Sequence, residues 1–156
     1  MISTGQAVSY TRYRDAFAGG AGNAVHWNWS AILEALSAAT PGERGSLTLS
    51  KTGQASECEL MPGMAVTIQV VPGESRTRPH AHSWWHLFVV CSGSAQALLG
   101  ALGDAEARQL HAKDLLLVPA WTRHHFENGG QEDLVLLSMS NLPQQSGLAN
   151  HRADEP

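Results

Sequence analysis

Residues Gly73 to Gly93 read GESRTRPHAHSWWHLFVVCSG. His80, His82 and His86 stand two and four residues apart, directly after Pro79 and directly before the apolar run Leu87 to Cys91. Successive side chains of a β-strand point to opposite faces, so an extended segment here puts all three imidazoles on one side. Two imidazoles at i and i+2 can reach one metal ion. The spacing alone is also compatible with a surface loop that happens to carry histidines. A second stretch, Asp114 to Asn128, reads DLLLVPAWTRHHFEN: an apolar strand, a proline that stops it, a short turn, then His124 and His125. Either histidine, brought from a strand end elsewhere in a barrel, completes a three-nitrogen face on a divalent cation. Imidazole suits Fe, Cu, Zn and Ni.

Outward from these stretches the chain reads as one domain. At 156 residues there is room for one core, and a hydrophobic content of 43% is enough to fill it. The segment predicted as a helix, Ala31 to Ala39, carries Ile32, Leu33 and Leu36 at helical spacing. It has Ser30 as the expected N-cap and Pro41-Gly42 as its stop. Short strands are expected at Ser46–Ser50, Met64–Val71, Trp85–Cys91, Ala95–Leu99, Leu115–Val118 and Leu134–Met139. Pro72-Gly73, Ser92-Gly93-Ser94, Gly103-Asp104 and Asn128-Gly129-Gly130 mark the turns. Regular turn punctuation between short strands predicts an all-β sandwich or barrel. Residues 1–24, polar and glycine-rich, are expected to be a mobile arm, with Tyr10, Tyr13 and Phe17 as possible anchors. Residues 25–145 form the domain, and residues 146–156 are expected to fray.

Composition narrows the partners. The formal net charge is -4 and the pI is about 6.0, with no basic patch of the kind that binds nucleic acid. No run of 18 apolar residues suggests a membrane helix, and the first residues lack the apolar core of a secretory signal. Cys58 and Cys91 give no disulfide framework. Cys91 reads as a small core residue, and the expected compartment is the cytoplasm.

The two histidine stretches resemble the two signature motifs of the cupin superfamily. The first motif usually has a glycine, His-x-His, a glutamate four residues on, and a glycine. Here it is Gly73, His80, His82, His86 and Gly93, with a histidine in the glutamate position. The second usually runs Gly-Asp, four residues, Pro-x-Gly, two residues, His, three residues, Asn. Here it is Lys113-Asp114, Pro119, Trp121, His124 and Asn128, with Lys113 and Trp121 replacing glycines. The resemblance implies a double-stranded β-helix, or jelly-roll, barrel. It selects His124 rather than His125 as the third ligand beside His80 and His82. Loss of the glutamate and the tryptophan after the proline look like the gentisate 1,2-dioxygenase branch, whose iron is held by three histidines. His26-Trp27-Asn28-Trp29-Ser30 before the helix, MPGMAVTIQVVPGESRTRPHAH and LVLLSMSNLP extend the likeness over roughly residues 25 to 145. Those enzymes carry two such barrels per chain and this chain has room for one, so the resemblance implies a homodimer.

The chemistry follows from the ligand type. Three neutral imidazoles leave a divalent site near +2, which favours an anionic bidentate oxygen donor. Facial three-ligand coordination leaves room for such a chelate and for O₂. The expected activity is a dioxygenase using Fe(II) on a small hydroxyaromatic acid. His86 is a fourth ligand, an acid–base beside the metal, or a cavity residue without a role. Trp84, Trp85 and Trp121 are candidates for a flat apolar wall against the substrate. Arg78 and Arg123 are either partners for a substrate carboxylate or solvated rim charges. A non-oxidative isomerase, decarboxylase or lyase using Zn(II), Mn(II) or Ni(II), or a small-molecule-binding cupin without catalysis, is the competing expectation.

Overall fold

The computed structural model describes residues 9–12, 23–42, 45–101 and 103–154. Most of the expected N-terminal arm, with Tyr13 and Phe17, lies outside the described residues, and Tyr10 within them is exposed.

Helix α1 (Trp29–Ala38) begins two residues before its predicted start. Asn28, not Ser30, caps it: the Asn28 carboxamide oxygen accepts from both the backbone N–H (2.9 Å) and the hydroxyl (2.7 Å) of Ser30. Asparagine is as good a cap as serine, and the residue that satisfies the first free N–H groups fixes the start. No α1 residue is fully buried.

The strands are β1 (Leu47–Thr48), β2 (Ala65–Val71), β3 (Ser75–Arg76), β4 (Ala81–His82), β5 (His86–Ser92), β6 (Ser94–Leu99), β7 (Glu106–His111), β8 (Leu115–Val118), β9 (His124–Asn128), β10 (Leu134–Ser140) and β11 (Ala153–Asp154). Helix α2 (Leu142–Gly147) lies between the last two. All pairings are antiparallel. A five-stranded sheet runs β1-β2-β10-β5-β8, a four-stranded sheet runs β3-β9-β6-β7, and β11 pairs with β4. The chain is thus an all-β jelly roll with a short N-terminal helix. Alternation along β5, β6 and β10 sends Phe88, Val90, Ala95, Ala97, Leu134 and Leu136 into one core with Val71, Leu110, Val118 and Phe126. Burial of this apolar surface is the main drive for the fold.

Turns set the register. Gly93, at φ +78°, links β5 to β6, and a Cβ there would overlap the Asp133 carbonyl oxygen and come within 3.0 Å of the Leu134 Cα. Gly73 faces the backbone of Gln131 just as closely. Both motif glycines are therefore demanded by backbone approach. The two motif positions that have lost glycine keep the glycine-like conformation: Lys113 at φ +80° and Trp121 at φ +62°. Asp114 braces the β7–β8 turn by accepting from the His111 N–H at 2.8 Å. Buried Asn128 donates to the carbonyls of Val71 (3.0 Å) and Glu132 (2.8 Å), holding the β9–β10 turn.

Two expectations are corrected. First, residues 80–86 are not one extended segment. The chain bends at Ser83–Trp84, and His86 opens β5 in the five-stranded sheet. Second, the C-terminal stretch expected to fray is partly held. Ala153 pairs with His82 and Asp154 with Ala81; the Ser83 hydroxyl donates to the Asn150 carbonyl; Asp154 forms an ion pair with Arg123. The free edge of β4 supplies the backbone groups that this polar tail lacked in the sequence. Cys91, expected in the core, is only half-buried on β5, and desolvation pushes its thiol pKa above the usual value.

Candidate metal centre

Three elements bring the histidines together. His80 and His124 form an isolated antiparallel bridge with reciprocal N–H to carbonyl bonds of 3.1 and 2.9 Å. Residues directly opposite in such a pair share a face, and their rings lie 4.5 Å apart. His82 follows two residues on, on the same face. Its ring is 5.5 Å from that of His80 and 5.1 Å from that of His124. The Trp121 N–H donates to the His82 carbonyl at 2.7 Å and ties β4 to the turn before β9. One potential ligand atom from each of His80, His82 and His124 lies within 4.8 Å of the others, and all three residues are buried. This cluster can hold one metal ion.

The donor set passes a test of fit. The Nδ1 of His80 lies 2.8 Å from the Arg78 carbonyl, that of His82 lies 2.7 Å from the Trp84 carbonyl, and that of His124 lies 2.9 Å from the Thr122 carbonyl. A carbonyl only accepts, so each Nδ1 carries the proton and each Nε2 carries the lone pair. Metal-bound histidines are oriented by this kind of bond from the other ring nitrogen, which fixes the tautomer. Here it occurs three times out of three, each time from a residue two positions away.

His86 lies beside the cluster and outside it. Its ring is 4.8 Å from His82 and 6.1 Å from His124. The Trp84 indole N–H donates to its Nε2 at 3.0 Å, and its Nδ1 is 2.6 Å from the Ser138 hydroxyl. The His86 Nε2 lone pair therefore receives the Trp84 N–H. Trp84, only 1% exposed, stacks on His82 at 3.9 Å with the ring planes 4° apart. It is a wall of the histidine cluster itself. Ser138 and the three backbone carbonyls are parts of the site that sequence reading missed. Ser138 sits 52 residues from His86, in a strand whose only visible signal was apolar content.

The remaining candidates are dispersed. Trp85 is half-buried, with its backbone N–H on the Asn141 side chain at 3.0 Å. Trp121 is 53% exposed. Arg123 donates to the Pro79 carbonyl at 3.2 Å and pairs with Asp154. Arg78 is exposed and lines a cavity of about 610 Å³ with Arg76, His125 and Glu127, which none of the three clustered histidines lines. His125 points into that other space, with its Nε2 3.3 Å from Glu127, as alternation along β9 requires. A larger cavity of about 810 Å³, lined by Lys51, Glu57, Glu59 and Met61 among others, holds no histidine. A smaller opening of about 270 Å³ reaches Trp84 and His86 beside the cluster, and none of the three clustered histidines lines it either. It is lined by Leu47, Thr48, Thr67, Trp84, His86 and Leu142.

Comparisons with known proteins agree with this architecture. The family model described as "Cupin domain" matches residues 66–140. No curated protein matches the chain in sequence. Among solved structures, the salicylate 1,2-dioxygenase from Pseudaminobacter salicylatoxidans superposes with a TM-score of 0.73 at 21% identity, covering 83% of this chain and 38% of that one. A tryptophan-to-tyrosine variant of the same enzyme in complex with gentisate gives 0.74 at 21% identity, covering 94% and 42%. At that identity the likeness establishes the fold. The chain spans about two fifths of the length of those solved chains.

Proposed function

We propose that the chain, whose residues 66–140 match the cupin-domain family model, works as a metal-dependent dioxygenase on a small, anionic, hydroxyaromatic acid. The observation that carries the metal reading is the threefold pattern of Nδ1–H bonds to backbone carbonyls, which turns three Nε2 lone pairs to one use. His80, His82 and His124 would hold the ion. Neutral donors leave it near +2, so an anionic chelating guest is favoured. Bound Fe(II) would supply Lewis acidity and redox contact with O₂. The chain's own residues do the rest. Trp84 and the buried faces of the barrel exclude water. Thr48 and Thr67 offer hydroxyls to a guest in the adjoining 270 Å³ opening, and Leu47 and Leu142 give it apolar walls. The solved relative bound to gentisate supports a hydroxyaromatic acid as the guest.

A second reading has one observation in its favour. The arginines expected to clamp a carboxylate are engaged elsewhere, Arg123 with Asp154 and Arg78 at the other cavity. A non-oxidative cupin enzyme on Zn(II), Mn(II) or Ni(II) needs no such clamp. Metal analysis of protein purified without oxygen, followed by O₂ uptake with gentisate and salicylate, separates the two. Iron with substrate-dependent uptake supports the oxygenase; zinc with turnover but no uptake supports the alternative; ligand-induced stabilisation without turnover leaves a binding module. We further propose a homodimer. Leu115 and Leu117 on edge strand β8 are 66% and 60% exposed, and light scattering on the eluted protein that gives a monomer mass refutes it.

A further inference from the structure

His86 occupies the position from which the cupin motif, as read above, usually presents a glutamate, and its ring is close enough to His82 to matter. Two bonds decide what it does. The Trp84 indole N–H can only donate, so the His86 Nε2 that receives it at 3.0 Å must carry the lone pair. The proton then sits on Nδ1, which donates to the Ser138 hydroxyl at 2.6 Å. The chain Trp84–His86–Ser138 is closed at both ends by buried groups: the three residues are 1%, 5% and 1% exposed. Trp84 is itself fixed, because its indole lies flat on His82 at 3.9 Å and its carbonyl takes the His82 Nδ1 proton. One tryptophan thus orients a ligand histidine with its ring face and its backbone, and occupies the lone pair of a second histidine with its N–H.

We propose that Trp84 is a positioning residue that restrains His86 from coordinating the metal, so that the centre keeps three imidazoles and an open face. This rests on the metal reading above and goes beyond it. The physical reason is competition: one Nε2 lone pair cannot serve both the Trp84 N–H and a metal ion, and in a buried site the bond to Trp84 cannot be exchanged for water at no cost. Phenylalanine at position 84 keeps a flat ring against His82 and removes the N–H. The N–H that competes for the His86 lone pair is then gone.

The test is the count of imidazoles around Co(II) in the full-length protein, measured by X-ray absorption fine structure together with the visible d–d spectrum. Wild type is expected to show three. Trp84→Phe is expected to show four with an altered d–d spectrum, and Trp84→Phe combined with His86→Ala returns to three. Trp84→Leu, which also removes the indole N–H from the His86 Nε2, is expected to give the same count and serves if Trp84→Phe does not fold. Four imidazoles in the wild type overturn the proposal, as does an unchanged count of three in the Trp84 variants. A tryptophan that only fills space would not change the number of nitrogens on the ion. Wild type that takes up no Co(II) overturns the metal reading itself, an outcome distinct from a wrong count.

Discussion

Lys113 and Trp121 both stand at positive φ where the motif that this chain resembles has glycine, and restoring glycine should act in opposite directions at the two sites. At φ +80° and +62° a side chain with a Cβ costs about 1–2 kcal/mol relative to an unstrained residue. Glycine removes that cost and loosens the unfolded chain, which returns roughly 0.4–1 kcal/mol. Lys113 is exposed and loses no packing, so Lys113→Gly should stabilise the protein by about 0.5–1 kcal/mol. Trp121 is 53% exposed, so a little under half of its surface is covered. With roughly 250 Å² for a buried tryptophan and about 25 cal/mol per Å², that covered part is worth about 3 kcal/mol. Trp121→Gly should therefore destabilise by about 2 kcal/mol in spite of the relieved strain. For a chain of this size each kcal/mol moves Tm by about 2–4 °C, so thermal unfolding of the two variants separates them clearly. The Trp121 N–H that holds His82 belongs to the backbone and survives in the glycine variant, so bound metal per chain should not change. A destabilised Lys113→Gly, or a stabilised Trp121→Gly, would refute the argument that these positions keep a glycine geometry under strain.

Four further outcomes follow from the same structure. His124→Ala should abolish stoichiometric metal binding and any turnover together, read by metal analysis after gel filtration. Gly93→Ala combines a positive φ with overlap of the Asp133 carbonyl oxygen and should cost at least about 3 kcal/mol in urea unfolding, since backbone rather than a flexible side chain must move. Desolvation raises the Cys91 thiol pKa above its ordinary value of 9.0, so the unfolded chain releases that proton first. The resulting stability is fully present below about pH 9 and is lost as pH rises through the folded value, a loss that Cys91→Ala should remove from the alkaline arm of a Tm–pH curve. Deleting residues 150–154 strips β4 of its partner strand and Arg123 of Asp154. Metal affinity should fall by roughly 10–100-fold, as loss of supporting contacts around ligands typically does, while isothermal titration with an unchanged Kd would show that the strand is dispensable.

The alternation of His80 and His82 was readable from residue spacing alone, because a strand repeats every two residues wherever it is placed. So was the apolar content of β2, β5 and β10: β5 alternates because it buries one face, while β2 buries residues on both. Strand β7 was not readable: along Glu106–His111 only Leu110 is buried, so there is no alternation to see and only its pairing with β6 makes it a strand. The choice between His124 and His125 came from the motif and not from spacing. Structure supplies its reason in the bridge to His80, which turns one histidine towards the cluster and the next away from it.

What the sequence determined by itself is local and periodic: which residues alternate, where glycine is required, and which side chains are imidazoles. Tertiary structure alone decided the fate of His86, because the bend at Ser83–Trp84 moves it into a different sheet and hands its two nitrogens to Trp84 and to a serine 52 residues away. The same holds for the C-terminal residues, whose polar composition predicts fraying until the open edge of β4 is there to receive them. Hydrogen-bond partners far apart in the chain leave no trace in spacing; they are chosen by which backbone and side-chain groups the packed sheets leave within reach.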